Sequence, residues 1–281
     1  MNEVLPKYKP FLRWAGGKNW LVKRLPSILG DISFRAYHEP FLGGGSIFFA
    51  LAPEKAYLSD LNKDLINAYI GLQDNSERVI ELLKKWTISE DEYYRIREYS
   101  PEERYAQAAR FIYLNRTSFN GLYRVNRAGK YNVPYGHNDS YGFDFERIRQ
   151  ASIALKSAVL ANQRFEQSLT NISKGDLVFL DPPYTVSHNK NGFIEYNKTL
   201  FSYEDQKRLK KFIDEVNSIG AFYILTNAAH KSISDIFCDD SCKHFVVNRN
   251  SLLGGAYAQR GKIEEFIFTN IDTAELGDSN E

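Results

Sequence analysis

Leu177-Val178-Phe179-Leu180-Asp181-Pro182-Pro183-Tyr184 is the stretch on which the fold class of this chain turns. Val178 and Phe179 favour a strand, and Leu177 to Leu180 is apolar enough to be buried on both faces, as in a parallel sheet. Pro182 has no N–H to give to a sheet ladder, so the strand ends there. The closing tetrapeptide joins a carboxylate, two prolines and an aromatic ring, which offer acceptors and a flat face to one planar amino group. In open α/β sheets chemistry gathers at such strand ends. The plainer alternative is a buried strand closed by a proline turn, with Asp181 satisfying nearby backbone donors.

Outward from this strand the pattern alternates. Ser202 opens a helix with Glu204 and Asp205 in its first turn and Leu209, Phe212, Ile213 and Val216 at helical spacing. Ala221 to Thr226 reads as a strand, and Phe245 to Val247 with Glu265 to Phe268 as a closing antiparallel pair around Leu253-Gly254-Gly255. Towards the amino end, Tyr37 to Pro40 and Ala56 to Ser59 read as short strands, followed by helices from about Ser46 and from Asn62. This β-α-β alternation predicts an α/β fold, a Rossmann-like, mostly parallel sheet flanked by helices.

Between roughly Asn67 and Phe165 the period changes. Val79, Leu82, Leu83 and Trp86, then Ala108, Phe111 and Ile112, recur at helical spacing before a Gly- and Asn-rich stretch, Asn115 to Gly142. An inserted helical domain with one long functional loop is expected, because structureless loops longer than about 12–15 residues usually carry function. The expected organisation is therefore a catalytic core of residues 1–66 and 166–271, an inserted domain of residues 67–165, and an acidic tail of residues 272–281.

The 281 residues are 43% hydrophobic and 25% charged, ordinary values for a soluble globular protein. Two cysteines cannot build a disulfide framework, Met1-Asn2-Glu3-Val4 lacks the plan of a signal peptide, and no apolar run approaches the roughly 18 residues of a membrane span. A cytoplasmic protein is expected, with no membrane partner. Cys238 and Cys242 lie near His230 and His244 in sequence, but their spacing matches no standard zinc pattern, so a structural role is expected for all four and no metal.

Lys and Arg number 36 against 35 Asp and Glu, a net charge of +1 that by itself calls for no polyanionic partner. The distribution argues otherwise. No acid occurs from Arg104 to Asn138, where Arg104, Arg110, Arg116, Arg124, Arg127 and Lys130 alternate with seven Phe and Tyr rings. The amino-terminal segment, with Glu3 as its one acid before Asp31, and the stretch from Ser241 to Ile263 repeat the bias. Basic groups neutralise phosphates and rings stack on bases, so three such stretches on one face would make a nucleic-acid surface. Arg104 and Arg110, on a helix, read as solvated; Arg249 and Arg260 are divided between phosphate clamps and solvated charges.

Two glycine-bearing segments carry the remaining chemistry. Glu39-Pro40-Phe41-Leu42-Gly43-Gly44-Gly45-Ser46 lies between a strand and a helix, where glycines allow a tight turn and close approach of a ligand. About fifteen residues on, the second short strand ends at Asp60, the relative place of an acid that binds ribose hydroxyls. Arg13-Trp14-Ala15-Gly16-Gly17-Lys18 looks like a P-loop, but Leu12 and Asn19 stand where that pattern needs Gly and Ser or Thr. A Trp beside two glycines and a Lys better suits a pocket that meets an adenine or sulfonium by its ring and a carboxylate by its ammonium.

These segments, with Ser59-Asp60, Asn120-Gly121-Leu122 and Arg124, Asn132-Val133-Pro134 and Gly136, and Asp181-Pro182-Pro183-Tyr184, occur in an order that closely resembles the DNA adenine methyltransferases of the Dam and DpnII type. The resemblance runs from about Phe11 to Thr269. It implies a Rossmann-like methyltransferase sheet with an inserted target-recognition domain, S-adenosylmethionine as methyl donor, S-adenosylhomocysteine as product, and an adenine in a short duplex site as acceptor. Trp14, Lys18, Asp60 and Asp181 match the family's cofactor positions, and Phe165 aligns with a further one. Ala15, Gly16, Gly17, Glu39, Pro40, Phe41, Gly43, Gly45 and Ser46 complete the expected cofactor set. Asp181, Pro182, Pro183 and Tyr184 match the catalytic motif. Arg13, Phe119, Asn120, Leu122, Arg124 and Pro134 match DNA-meeting positions, with Arg124 the candidate for a bidentate contact to guanine; Arg116, Asn126, His137, Arg249 and Arg260 complete that set.

An adenine amino group is a poor nucleophile because its lone pair is delocalised into the ring. On this resemblance the Asp181 carboxylate and the Pro182 carbonyl accept the two amino protons while Tyr184 stacks on the extruded base, so that catalysis is mostly positioning. Phe119 fills the vacated space. GATC is the first candidate for the site, although His137-Asn138 stands where family members often carry Arg-Tyr. Double-stranded DNA is the expected partner, and a restriction endonuclease stays open as a functional one. Two alternatives stand beside this: methylation of an RNA base or a protein amino group, and a catalytically silent DNA-binding protein of the same fold.

Overall fold

The periods read from the sequence become nine α-helices and seven strands among the described residues. In chain order these are α1 (Asn19–Val22), α2 (Leu25–Leu29), β1 (Tyr37–Glu39), α3 (Ser46–Leu51), β2 (Ala56–Asp60), α4 (Lys63–Leu83), α5 (Glu90–Glu98), α6 (Arg104–Thr117), α7 (Phe145–Leu155), β3 (Ala158–Asn162), β4 (Leu177–Leu180), α8 (Tyr203–Ile219), β5 (Phe222–Ala228), α9 (Lys231–Phe237), β6 (Lys243–Asn250) and β7 (Lys262–Thr269). They come from a computed structural model that describes residues 6–137, 142–184, 201–238, 243–250 and 262–272, with only the backbone of Lys243, Arg249, Asn250, Lys262 and Ile263. Arg260, Asn138, Cys242, the Leu253-Gly254-Gly255 loop and the tail beyond residue 272 lie outside the described residues, as does the side chain of Arg249.

The sheet is seven-stranded and mostly parallel, with antiparallel closing strands, the Rossmann-like arrangement that the sequence predicts. Compactness divides the chain into residues 1–23 with 42–164 and residues 24–41 with 165–281. α4 is continuous across residue 66, the place where the sequence suggests that the inserted domain begins. In the second unit β4 lies between β1 and β5, parallel to both, and is buried at every position. β7 pairs antiparallel with β5 and with β6. α8 opens on a capping box, with Ser202 and Asp205 bonded reciprocally, and ends at Gly220 in a left-handed conformation (φ +81°). Its Leu209, Phe212, Ile213 and Val216 join Val178, Leu180 and Leu225 in the core of this unit.

In the first unit β2 pairs in parallel with β3, a strand lying in the block that the sequence reads as helical. Two of its five residues are alanine and none is fully buried, so β3 carries little signal of its own and is defined by its partner. α4 is capped by the Asn62 side chain and breaks at Asn75 (φ −151°), whose side chain accepts from the Arg78 N–H. Gly71 of α4 lies so near α6 that a Cβ would come to 2.7 Å from that of Ala108. Among the described residues no helix is long and apolar enough to cross a membrane.

Candidate active site

In the first unit the two glycine-bearing segments are joined through Trp14. Gly43 and Gly45 take left-handed angles (φ +46° and +66°), which glycine tolerates best. A Cβ on Gly43 would come within 2.8 Å of Trp14 Nε1, so the indole lies directly on the glycine turn. Asp60, at the end of β2, accepts from the Gly43 N–H at 3.0 Å and the Asn62 N–H at 2.9 Å, and the buried Tyr69 hydroxyl donates to the Gly43 carbonyl at 3.1 Å. Burial raises the pKa of Asp60, and the N–H groups of Asn62, Gly43 and Leu61 offset that only in part.

The indole of Trp14 also lies near-parallel to Phe111 and Tyr123, at centroid distances of 6.3 and 6.1 Å. It is thus a half-buried member of an aromatic cluster rather than an isolated platform. Lys18, which the sequence assigns to a carboxylate, is buried and donates from Nζ to the Gly16 carbonyl at 3.0 Å. Ala15, Gly16 and Gly17 are exposed; Gly16 (φ +79°) has open space where a Cβ would stand. Ser46 is buried at the start of α3.

In the second unit β4 delivers Asp181 to its carboxyl end. The buried Thr226 hydroxyl, on β5, donates to Asp181 Oδ1 at 2.8 Å. Pro182 is buried and Pro183 exposed, and the half-buried Tyr184 donates its hydroxyl to Glu265 Oε2 of β7 at 2.6 Å. On β1 the buried Tyr37 hydroxyl donates to Glu39 Oε2 at 2.9 Å. Burial raises the Tyr37 pKa well above the ordinary phenol value, and the charges of Glu39 and Asp181 raise it further. Pro40 is buried, and the Phe41 ring stacks on Phe165 at 5.3 Å. Phe165 itself belongs to the hydrophobic core of this unit.

The aromatic, basic stretch of the first unit is more ordered than a plain loop. Phe119, Asn120 and Gly121 form a single 3-10 turn in which Asn120 is left-handed (φ +54°) and Phe119 stands 50% exposed. Arg124 to Asn132 is a short hairpin with a Val125–Tyr131 bridge. Its tip is organised by Asn126, whose Oδ1 accepts from the Ala128 and Lys130 N–H groups at 2.9 and 3.0 Å, an Asx-type role rather than an outward one for that oxygen. Arg124 is exposed and donates from Nε to Asn132 Oδ1 at 2.8 Å and from a terminal nitrogen to the Asn132 carbonyl at 2.9 Å. Beneath Leu122, Tyr131 donates to its carbonyl at 2.6 Å, and burial pushes the Tyr131 pKa up to about 12.

Other basic residues depart from their expected settings. Arg110 is half-buried and caps α5, donating to the Ile96 and Arg97 carbonyls at 3.0 and 2.6 Å; burial lowers its pKa. It is therefore structural rather than solvated. Arg116 donates to the Gly142 carbonyl at 3.1 Å. Pro134 is exposed, and His137 (φ +48°) lies 3.9 Å from Glu90. Cys238 Sγ stands 3.6 Å from His244 Nδ1, and among the described residues no cluster of three or more His, Cys, Asp or Glu could hold a metal ion.

The sequence reading gave no supporting role to Tyr69, Asn115, Asn132, Asn162, Thr226 or Glu265. Asn162 of β3 donates to the carbonyls of Asp60 and Leu61 at 2.9 and 3.0 Å and so secures the end of β2. Asn115 and Asn132 lie in the acid-free, Gly- and Asn-rich stretch and the other four do not, but the supporting role of each is identified only by the partner that the fold brings to it.

Residues 14–250 match the family model of the D12 class N6 adenine-specific DNA methyltransferases. The chain is 36% identical over 276 residues to the Type II methyltransferase M1.LlaDCHI of Lactococcus lactis subsp. cremoris, covering 93% of this chain and 95% of that one. It is 34% identical over 243 residues to the Type II methyltransferase M.MjaIII of Methanocaldococcus jannaschii, covering 78% and 84%. With the DNA adenine methylase of Haemophilus influenzae the identity is 28% over 269 residues, 93% of each chain.

Proposed function

As this chain belongs to the D12 class of N6 adenine-specific DNA methyltransferases, we propose that it methylates the exocyclic amino group of an adenine extruded from a short duplex site, with Asp181, Pro182, Pro183 and Tyr184 as the catalytic segment. The observation that carries this reading is the placement of Asp181 at the carboxyl end of the buried strand β4, with its Oδ1 fixed at 2.8 Å by Thr226. The family implies DNA as substrate and S-adenosylmethionine as donor. The residues fit that donor: a carboxylate accepts about four hydrogen bonds, so Asp60 keeps capacity for ribose hydroxyls beyond the N–H groups that it already holds. The donor supplies the electrophilic methyl group.

In the first unit Trp14, Lys18, Asp60 and the turns around Gly16, Gly17, Gly43 and Gly45 bind and orient the donor, with Ala15 and Ser46 beside them. In the second, Glu39, Pro40, Phe41, Phe165 and Asp181 belong to the same cofactor set. The Asp181 carboxylate and the Pro182 carbonyl accept the amino protons, which weakens the conjugation of the nitrogen lone pair with the ring. Tyr184 stacks on the base. Pro182 and Pro183 hold these acceptors on a rigid backbone, so little reorganisation accompanies the transfer. Extrusion costs a few kcal/mol, which stacking and DNA contacts offset. The 50% exposed Phe119 suits insertion into the vacated stack.

Residues 67–165 act as the target-recognition domain, with Arg124 reading a guanine and Arg13, Arg116, Asn120, Leu122, Pro134, His137, Arg249 and Arg260 along the DNA. GATC is the site proposed first. A restriction endonuclease as functional partner and a cytoplasmic setting complete the proposal; the names of the Lactococcus and Methanocaldococcus relatives are consistent with the former. The deciding experiment incubates the purified protein with tritiated S-adenosylmethionine and unmethylated plasmid, then maps modified adenines by single-molecule sequencing. Label in adenine, lost in Asp181→Ala at unchanged melting temperature, is the expected result; label elsewhere, or retained turnover in the variant, overturns it.

A further inference from the structure

Glu265 carries a carboxylate where β7 is fully buried, 0% exposed, opposite Ala228 of β5. Taking such a group out of water costs several kcal/mol unless hydrogen bonds compensate. Its Oε2 accepts from the Tyr184 hydroxyl at 2.6 Å. Pro182 and Pro183 fix two backbone angles ahead of Tyr184 but do not set the torsions of its side chain. The bond to β7 restrains those torsions.

We propose that Glu265 is a positioning residue for methyl transfer: through the Tyr184 hydroxyl it fixes the ring on which the extruded adenine stacks, touching neither base nor donor. This rests on the role given to Tyr184 above. Two effects follow from the bond. A ring tethered at its oxygen keeps one plane, while the acceptor Asp181 is fixed separately by Thr226 on the neighbouring strand β5, whose cross-strand partner on β7 is Ile267. The acceptor and the stacking face are thus each held by a sheet strand rather than by their own segment. Second, a phenol that donates to a carboxylate has a more electron-rich ring. As the amino nitrogen takes the methyl group it gains positive charge, so the face of that ring attracts it more in the transition state than in the ground state. Loss of Glu265 should therefore fall on kcat rather than on KM.

The test measures kcat, KM for duplex DNA and for S-adenosylmethionine, and the fluorescence of 2-aminopurine at the target position, for the wild type, Glu265→Gln, Tyr184→Phe and the double variant. Glu265→Gln keeps the shape of the side chain, and a thermal melt checks its folding. Expected is a fall in kcat of about tenfold with each KM changed less than about threefold, together with altered 2-aminopurine fluorescence in the bound complex. In the Tyr184→Phe background the same substitution should change kcat by less than about twofold. A kcat within about twofold of wild type in Glu265→Gln overturns the proposal, as do equal losses in both backgrounds, which would assign Glu265 to the stability of β7. If Glu265→Gln does not fold, Tyr184→Phe decides alone, because retained kcat without the hydroxyl also overturns it. A wild type that labels no DNA overturns both this proposal and the reading on which it rests.

Discussion

Asn115 pairs with the backbone of Arg13 on both sides, accepting its N–H at Oδ1 (2.9 Å) and donating from Nδ2 to its carbonyl (2.6 Å), although the two residues are 102 apart in sequence. The same Nδ2 donates to the Gly121 carbonyl at 3.1 Å. Gly121 is left-handed (φ +65°), and a Cβ there would stand 2.7 Å from that of Arg13. One buried carboxamide therefore joins the segment containing Trp14 to the segment containing Asn120 and Leu122.

Asn115→Asp should be more harmful than the change of charge alone suggests. It keeps the acceptor for the Arg13 N–H but sets carboxylate oxygen against two carbonyls. A buried polar group left unsatisfied costs about 1–3 kcal/mol, so a clear fall in melting temperature is expected, together with weaker binding of both DNA and S-adenosylmethionine. Calorimetry on the variant checks it; a melting temperature equal to wild type would contradict the latch.

Asp60 gives a pH dependence to donor binding. Its folded pKa is raised by burial, so it takes up a proton at a higher pH than an ordinary carboxylate, and the protonated group is a poorer acceptor for ribose hydroxyls. Affinity for S-adenosylmethionine should fall as the pH is lowered, beginning above about 3.9, the usual value for Asp. Titration calorimetry on the wild type and on Asp60→Asn compares the two profiles. The variant is expected to bind weakly and with no slope from this group.

Asp176 is shifted in the opposite direction from Asp60, and its consequence is for stability. Burial alone would raise its pKa, but the Arg35 guanidinium, the Ser173 N–H and His38 outweigh it, and the folded pKa is lowered. Arg35 and His38 approach it at 3.0 and 2.9 Å. A group with a lowered folded pKa stabilises the fold fully above its unfolded pKa of about 3.9 and loses that contribution as pH falls through the folded value. In urea denaturation the stability gap between the wild type and Asp176→Asn should be widest near neutrality and narrow on acidification. A gap independent of pH would remove Asp176 from the account.

Arg124 already donates to both the side chain and the carbonyl of Asn132. A guanidinium oriented by a neighbour loses less freedom when it meets a guanine edge. Arg124→Ala should relax sequence choice at one base by about 1–3 kcal/mol, and Asn132→Ala should do so at the same base by less. Methylation rates on single-base variants of the site distinguish this from loss of a phosphate contact, which weakens all sites alike.

Much of the fold was legible because its signals are local. The apolar run ending at Pro182, the Ser202 capping box and the Asn62 cap each specify an element within a few residues, and all three stand where the sequence places them. β3 was not legible, since Ala158 to Asn162 becomes a strand only by pairing with β2. The same division holds in the site. Asp60, Asp181 and the glycines announce themselves by type and spacing, whereas Thr226 and Glu265 are an ordinary Thr and an ordinary Glu until strand register aims them at Asp181 and Tyr184. Arg110 and Asn126 show the converse: basic or polar side chains in a suggestive stretch whose bonds go to their own backbone surroundings.

Thr226 offers the sharpest separation of positioning from folding. It is fully buried, so Thr226→Val conserves shape while removing the hydroxyl that donates to Asp181 Oδ1. The same hydroxyl is 3.5 Å from the Leu180 carbonyl, too long to count for much, so the variant leaves one carboxylate oxygen short of a donor and little else. Stability should change by no more than about 1.5 kcal/mol. With that donor gone, the Asp181 carboxylate would meet the amino protons less often in the productive geometry, and kcat should fall about tenfold or more, equivalent to roughly 1.4 kcal/mol on the barrier. KM for DNA should hardly move, because the hydroxyl makes no contact that forms only on binding. Single-turnover methylation alongside a thermal melt checks both halves. An unchanged rate with a lowered melting temperature would mean that Thr226 serves the sheet and not the carboxylate.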